Sequence, residues 1–195
     1  MSVRGIYRGA SQKGYATPTN APIRVDSTSN RLYINPSGTG STEIEVSTIN
    51  GKIPANVTSS TVTLGAANKD RVTTLSLAAG IAVTLPAATG SGDAYPLLVL
   101  ITFTGAASVA VANANDYMLG LALLDKVGTV SGFPTANTGT LATESDTVSL
   151  FGTANAQGGI KGAYYEFRDI AANVWGVQIR SEAGGTVATP FSAAV

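Results

Sequence analysis

From about residue 61 onward, short runs of β-branched and apolar residues are broken by Gly, Asn, Asp or Pro roughly every 8 to 12 residues. Leu75 and Leu77 alternate with smaller neighbours, then Ile81, Val83 and Leu85 do the same. Leu97 to Phe103 follows, then Val109 and Val111, Tyr117 to Leu124, and Val148 and Leu150. Tyr165 and Phe167, and lastly Trp175, Val177 and Ile179, complete the series. Alternation marks a strand, because successive side chains point to opposite faces. No long stretch carries a good helical period; Met118 to Leu124 comes nearest. The pattern predicts an all-β body, a β-sandwich or jelly roll, over residues 61–195. No fixed-period repeat is visible, which argues against a solenoid or propeller.

Residues 1–60 read differently. They are rich in Ser, Thr, Asn, Gly and Pro, with Tyr7, Tyr15 and Tyr33 set among basic residues. Short strands are expected at 31–34 and 43–46, and Asn50-Gly51 marks a turn. This part is expected to be an extended N-terminal arm with short strands. It is also basic: Arg4, Arg8, Lys13, Arg24 and Arg31 stand against Asp26 alone in residues 1–31, a net +4. Residues 72–160 carry only Lys126 against Asp93, Asp116, Asp125, Glu144 and Asp146, a net −4.

Composition narrows the chemistry. Charged residues make up 12% of the 195-residue chain, about half the usual share of a soluble domain. A surface so poor in charge suits a protein that covers part of itself with other subunits. Cysteine and histidine are both absent. No disulfide framework, thiolate site, imidazole zinc site or histidine-based triad can be built. Acid–base chemistry would fall to carboxylates, Lys or Tyr. Residues 94–115 are uncharged, yet Pro96, Thr102, Thr104, Gly105, Ser108, Asn113 and Asn115 interrupt them. They read as two strands joined at Thr104-Gly105 rather than a membrane span. The first fifteen residues hold three basic residues and no apolar run, so no signal peptide is expected.

Several stretches could carry a site. The glycine-flanked Gly90-Ser91-Gly92, with Asp93 behind it, could cradle a phosphate, but a strand pattern rather than a helix follows it. Calcium is poorly served, since Asp93 has no companion carboxylate in the loop. The stretch reads as a chain-reversing turn. Glu43/Glu45 and Glu144/Asp146 each sit two apart and could place paired carboxylates on one strand face, the arrangement a glycan hydrolase needs. Solvated faces carry the same spacing, and that is the reading preferred. Asn56-Val57-Thr58 matches a glycosylation acceptor and is read as chance. The aromatic–basic interleaving of the arm could contact nucleic acid. The neutral chain as a whole instead favours docking on an acidic protein surface, so no nucleic-acid partner is expected. Trp175 is read as an anchor in the core, with a sugar-stacking platform as the alternative.

The body resembles the capsid decoration (cement) and head-fibre proteins of tailed bacteriophages. The likeness lies in Thr84-Leu85-Pro86-Ala87-Ala88-Thr89-Gly90-Ser91-Gly92-Asp93, in Gly158 to Ile170 running on to Asn173-Val174-Trp175, and in Ala188-Thr189-Pro190-Phe191-Ser192. Tyr15 to Asp26 in the arm has the same flavour. The resemblance implies a homotrimer seated on the outside of an assembled head, made in the bacterial cytoplasm and partnered by the major capsid protein lattice. It carries over no catalytic residue, and neither enzymatic activity nor a cofactor is expected. Arg4, Tyr7, Arg8, Lys13, Tyr15 and Arg24 are the expected capsid contacts. Trp175, Tyr165 and Phe167 are the expected trimer or core anchors. The alternative function is a head-fibre or tail-fibre module that binds host-surface glycans.

Overall fold

The computed structural model describes residues 54–151 and 153–194, together with the backbone of four strands in the first 53 residues. Two compact units result, Met1–Ile53 and Pro54–Val195. The division falls at Pro54 rather than at residue 61, because 55–63 pairs with later strands of the body.

In the first unit, Tyr7–Arg8 (β1), Ile23–Asp26 (β2), Arg31–Ile34 (β3) and Ile44–Thr48 (β4) form one sheet in the order β1-β2-β3-β4. The pattern reading anticipated β3 and β4. It missed β1 and β2, which are too short to show a period. Register places Tyr7, Arg24, Tyr33 and Glu45 in one cross-strand row.

The second unit is all-β, with two mixed sheets and two single 3₁₀ turns, Leu141–Thr143 and Thr153–Asn155. Its strands are Ala55–Val57 (β5), Thr61–Thr63 (β6), Thr73–Leu75 (β7), Ala82–Thr84 (β8), Ala94–Val99 (β9) and Ser108–Ala110 (β10). Then come Tyr117–Lys126 (β11), Thr129–Pro134 (β12), Thr147–Ser149 (β13), Tyr164–Ala171 (β14), Val174–Glu182 (β15) and Phe191–Ser192 (β16). One sheet runs β16-β13-β10-β8-β6 and the other β12-β11-β15-β14-β9-β7-β5.

The lack of a fixed period argues against a solenoid, yet the first six of these strands stack locally in that manner. They alternate between the sheets, and β5, β6, β7 and β8 each pair in parallel with the strand two further on. Three coils therefore stack on one another in the manner of a β-solenoid. Ala55 aligns with Thr73 and Thr73 with Leu97, steps of 18 and 24 residues. Thr61 aligns with Ala82 and Ala82 with Ser108, steps of 21 and 26. The coils are unequal, so the chain shows no period even though its strands are stacked.

Both sheets contribute to a single core. Across the five-stranded sheet, Val62, Val83, Val109, Val148 and Phe191 form one continuous row. Across the other, Leu97, Tyr165, Ile179 and Ala122 form a second row. All but Val62, which is partly covered, are buried. β-branched and aromatic residues fit these positions because they pack well on a pleated face.

Candidate interaction surface

The loop 86–93 is held from below by two carboxylates. Asp169 follows Tyr165 and Phe167 on the inward-facing positions of β14 and is almost fully buried. Its carboxylate accepts hydrogen bonds from the backbone N–H groups of Thr89 (3.0 Å), Gly90 (2.6 Å) and Ser91 (3.1 Å). The Thr89 and Ser91 hydroxyls donate to it as well, both at 2.8 Å. Gly90, at φ +80°, lets the chain turn its amides inward, and a side chain there would press on the backbone of Ala171. Burial pushes the Asp169 carboxyl up, but the amide donors of Thr89, Gly90 and Ser91 and the Thr89 hydroxyl outweigh it and bring the pKa to about 2. Asp116 supports the other end, accepting from the Ala88 N–H at 3.0 Å. The stretch is thus a turn and also an anion nest, and its anion is the protein's own carboxylate. Asp93 points elsewhere and pairs with Lys69 at 2.6 Å.

The paired carboxylates read as lying on a solvated face are buried. Glu144 and Asp146 precede β13 in an irregular segment and are 4% and 6% exposed. Glu144 accepts from the N–H groups of Thr138 (2.9 Å) and Gly139 (2.6 Å), and Asp146 from that of Ala194 (2.7 Å). They tie loops together, because a buried carboxylate needs donors. Of the other pair, Glu45 lies in β4 and Glu43 lies outside the described residues. The Asn56 carboxamide oxygen, on β5, accepts from the hydroxyls of Thr74 and Ser76 at 3.0 and 2.6 Å.

Trp175, Tyr165 and Phe167 are fully buried in the core. Trp175 packs edge-on against Tyr95, ring centres 5.6 Å apart. A sugar-stacking role is closed to a ring with no exposed face. Of the expected capsid contacts, Tyr7 and Arg8 lie in β1 and Arg24 in β2. Arg4, Lys13 and Tyr15 lie outside the described residues.

The outward face of the seven-stranded sheet is the feature that pattern reading missed. β11 alternates, turning Met118, Ala122 and Leu124 into the core and leaving Leu119, Leu121 and Leu123 outside. Leu121 and Leu123 are 43% and 38% exposed; Ile170 and Val130 on the same sheet are 49% and 60% exposed. Leu119, Leu121, Leu123 and Ile170 border a groove of about 410 Å³, with Glu166, Arg168 and Arg180 on its polar wall. Ile170 lies over Gly176, where even a methyl group would be crowded. Along β14, Arg168 pairs with Glu166 at 3.1 Å, and the Tyr164 hydroxyl donates to Glu166 at 3.2 Å. Both sides of β11 are apolar, so the run was legible as a strand but not as one with an uncovered face.

No protein-family model matches the chain, and no curated protein matches it significantly.

Proposed function

We propose that this chain is a structural virion protein that binds the outside of an assembled phage head and stabilises it. In this reading the second unit is a β-sandwich body, the assembly is a homotrimer, and the basic first unit docks on the capsid lattice. The protein acts by binding, not by catalysis. A partner that binds only the assembled shell stabilises that shell by mass action. Three docking segments on one trimer act together, so weak single contacts add up to strong attachment.

One observation carries the reading. Two of the stretches behind the phage resemblance, 84–93 and 158–170, are joined by the Asp169 carboxylate and the amides of Thr89, Gly90 and Ser91. Within this chain the two stretches are thus parts of one structural joint.

Co-sedimentation with empty heads tests the proposal. The full chain should pellet with heads at fixed stoichiometry, and the chain beginning at Pro54 should stay in the supernatant. Full-length protein that ignores heads but binds a host polysaccharide on a glycan array would replace this reading with the fibre-module alternative.

A further inference from the structure

We propose that the outward face of β11, β14 and β15 is the surface through which copies of this chain associate. The inference rests on the oligomeric reading above and goes further by naming the face.

The face has two halves. Leu119, Leu121 and Leu123 form an apolar stripe along β11, widened by Ile170 and, on the β12 side, by Val130. Beside it run Glu166, Arg168, Arg180 and Glu182 on β14 and β15. The register aligns these halves row by row: Leu119 with Gly176 and Arg168, Leu121 with Gln178 and Glu166, Leu123 with Arg180 and Tyr164. A second pocket of about 370 Å³ continues the groove past Leu123 to Val130, Lys161 and Glu182.

Three features select a second copy as the occupant. The first is charge. Asp125, Glu166 and Glu182 are matched by Lys161, Arg168 and Arg180, so the face has no net field to attract an acidic or basic partner. Around a three-fold axis three such stripes converge, and each face offers its two neighbours both signs for the charged rows. The second is area. With β12 at its edge, the face has strands of 10, 9, 8 and 6 residues; at about 3.4 Å per residue and about 4.8 Å between strands it covers on the order of 500 Å², or roughly 1,500 Å² over the three copies of a trimer. That reaches the roughly 1,000 Å² a specific interface needs. The third is the edge. β12 is the outermost strand on this side and ends at Pro134, which cannot donate to a further strand. Association by the face is open where association by strand addition is hindered.

The test is the mass of the full-length protein in solution, measured by sedimentation. The wild type should run as a defined oligomer. Leu121→Lys/Leu123→Lys should fall to the 19.7 kDa monomer with an unchanged circular dichroism spectrum. Leu100→Lys/Ile101→Lys, which alters two exposed apolar residues beyond the end of β9, should leave the oligomer intact. Should the lysine pair fail to fold, single cysteines serve instead, since the chain has none of its own. Leu121→Cys should be joined between copies by a short bismaleimide, and Ile101→Cys should not. An oligomer that survives the Leu121/Leu123 change, or no crosslink at Leu121, overturns this face but leaves the homotrimer standing. A monomeric wild type overturns both. Head co-sedimentation then decides separately whether the chain is a decoration protein.

Discussion

The backbone N–H of Gly90 donates to the carboxylate of Asp169 across 2.6 Å, although the two residues are 79 positions apart. The charged form of Asp169 is the one this cradle stabilises. Its pKa near 2 lies below the ordinary 3.8, so its contribution is complete above about pH 4 and disappears as the pH falls from there toward 2. The loss is on the order of 2 kcal/mol. Asp169→Asn should lower the melting temperature at pH 7 by several degrees and flatten the stability profile between pH 4 and 2. Thermal unfolding followed across that range checks both.

The opposite end of the pH scale reports on Tyr165. Burial raises its phenol to about 12, against smaller opposing effects of hydrogen bonds from the Gly159 N–H and Ser181. The neutral form is favoured in the fold, so the contribution is whole below pH 10 and is lost as the pH climbs toward 12. That is about 2 to 3 kcal/mol. Tyr165→Phe should remove this alkaline dependence. At pH 7 it should cost about 1 to 2 kcal/mol, because the buried Gly159 N–H loses its 2.9 Å acceptor. Urea unfolding at pH 7 and pH 11 separates the two effects.

Trp175 fills the core, yet its indole N–H has no hydrogen-bond partner among the described residues. Trp175→Ala should cost about 3 to 5 kcal/mol through the cavity it leaves. Trp175→Phe should cost less than half of that, since removing a buried unpaired donor offsets part of the lost packing. Denaturant midpoints by far-ultraviolet circular dichroism measure the difference, as neither variant retains a tryptophan.

Glu144 holds the turn at Thr138 and Gly139 through two amide hydrogen bonds. Glu144→Gln should destabilise the protein by about 1 to 3 kcal/mol. Hydrogen exchange should speed up at the Thr138 and Gly139 amides before it changes at β14 or β15. Equal acceleration everywhere would show that the carboxylate supports the whole fold instead of one loop.

The all-strand character was legible because inward positions repeat cleanly where strands are long. Tyr165, Phe167 and Asp169 on β14, and Trp175, Val177 and Ile179 on β15, fall on one parity. The same parity runs on to Asp169, which the sequence reading passed over; a buried carboxylate demands donors, which the small residues at 89–91 supply. The partner was hidden by distance along the chain. Glu144 and Asp146 misled for a different reason: spacing by two says which residues share a face only inside a strand, and they lie outside one. Parallel stacking was hidden because pairing between strands leaves no local mark, and unequal corners erased the repeat.

Those unequal corners have a practical side. The stacked coils close properly whether 18 or 26 residues separate equivalent positions, so the scaffold sets strand register and is indifferent to how far the chain wanders between layers. A foreign peptide grafted at the exposed Ala66-Ala67, in the bend between β6 and β7, would therefore be carried as a passenger, displayed at a fixed address without disturbing the frame beneath it.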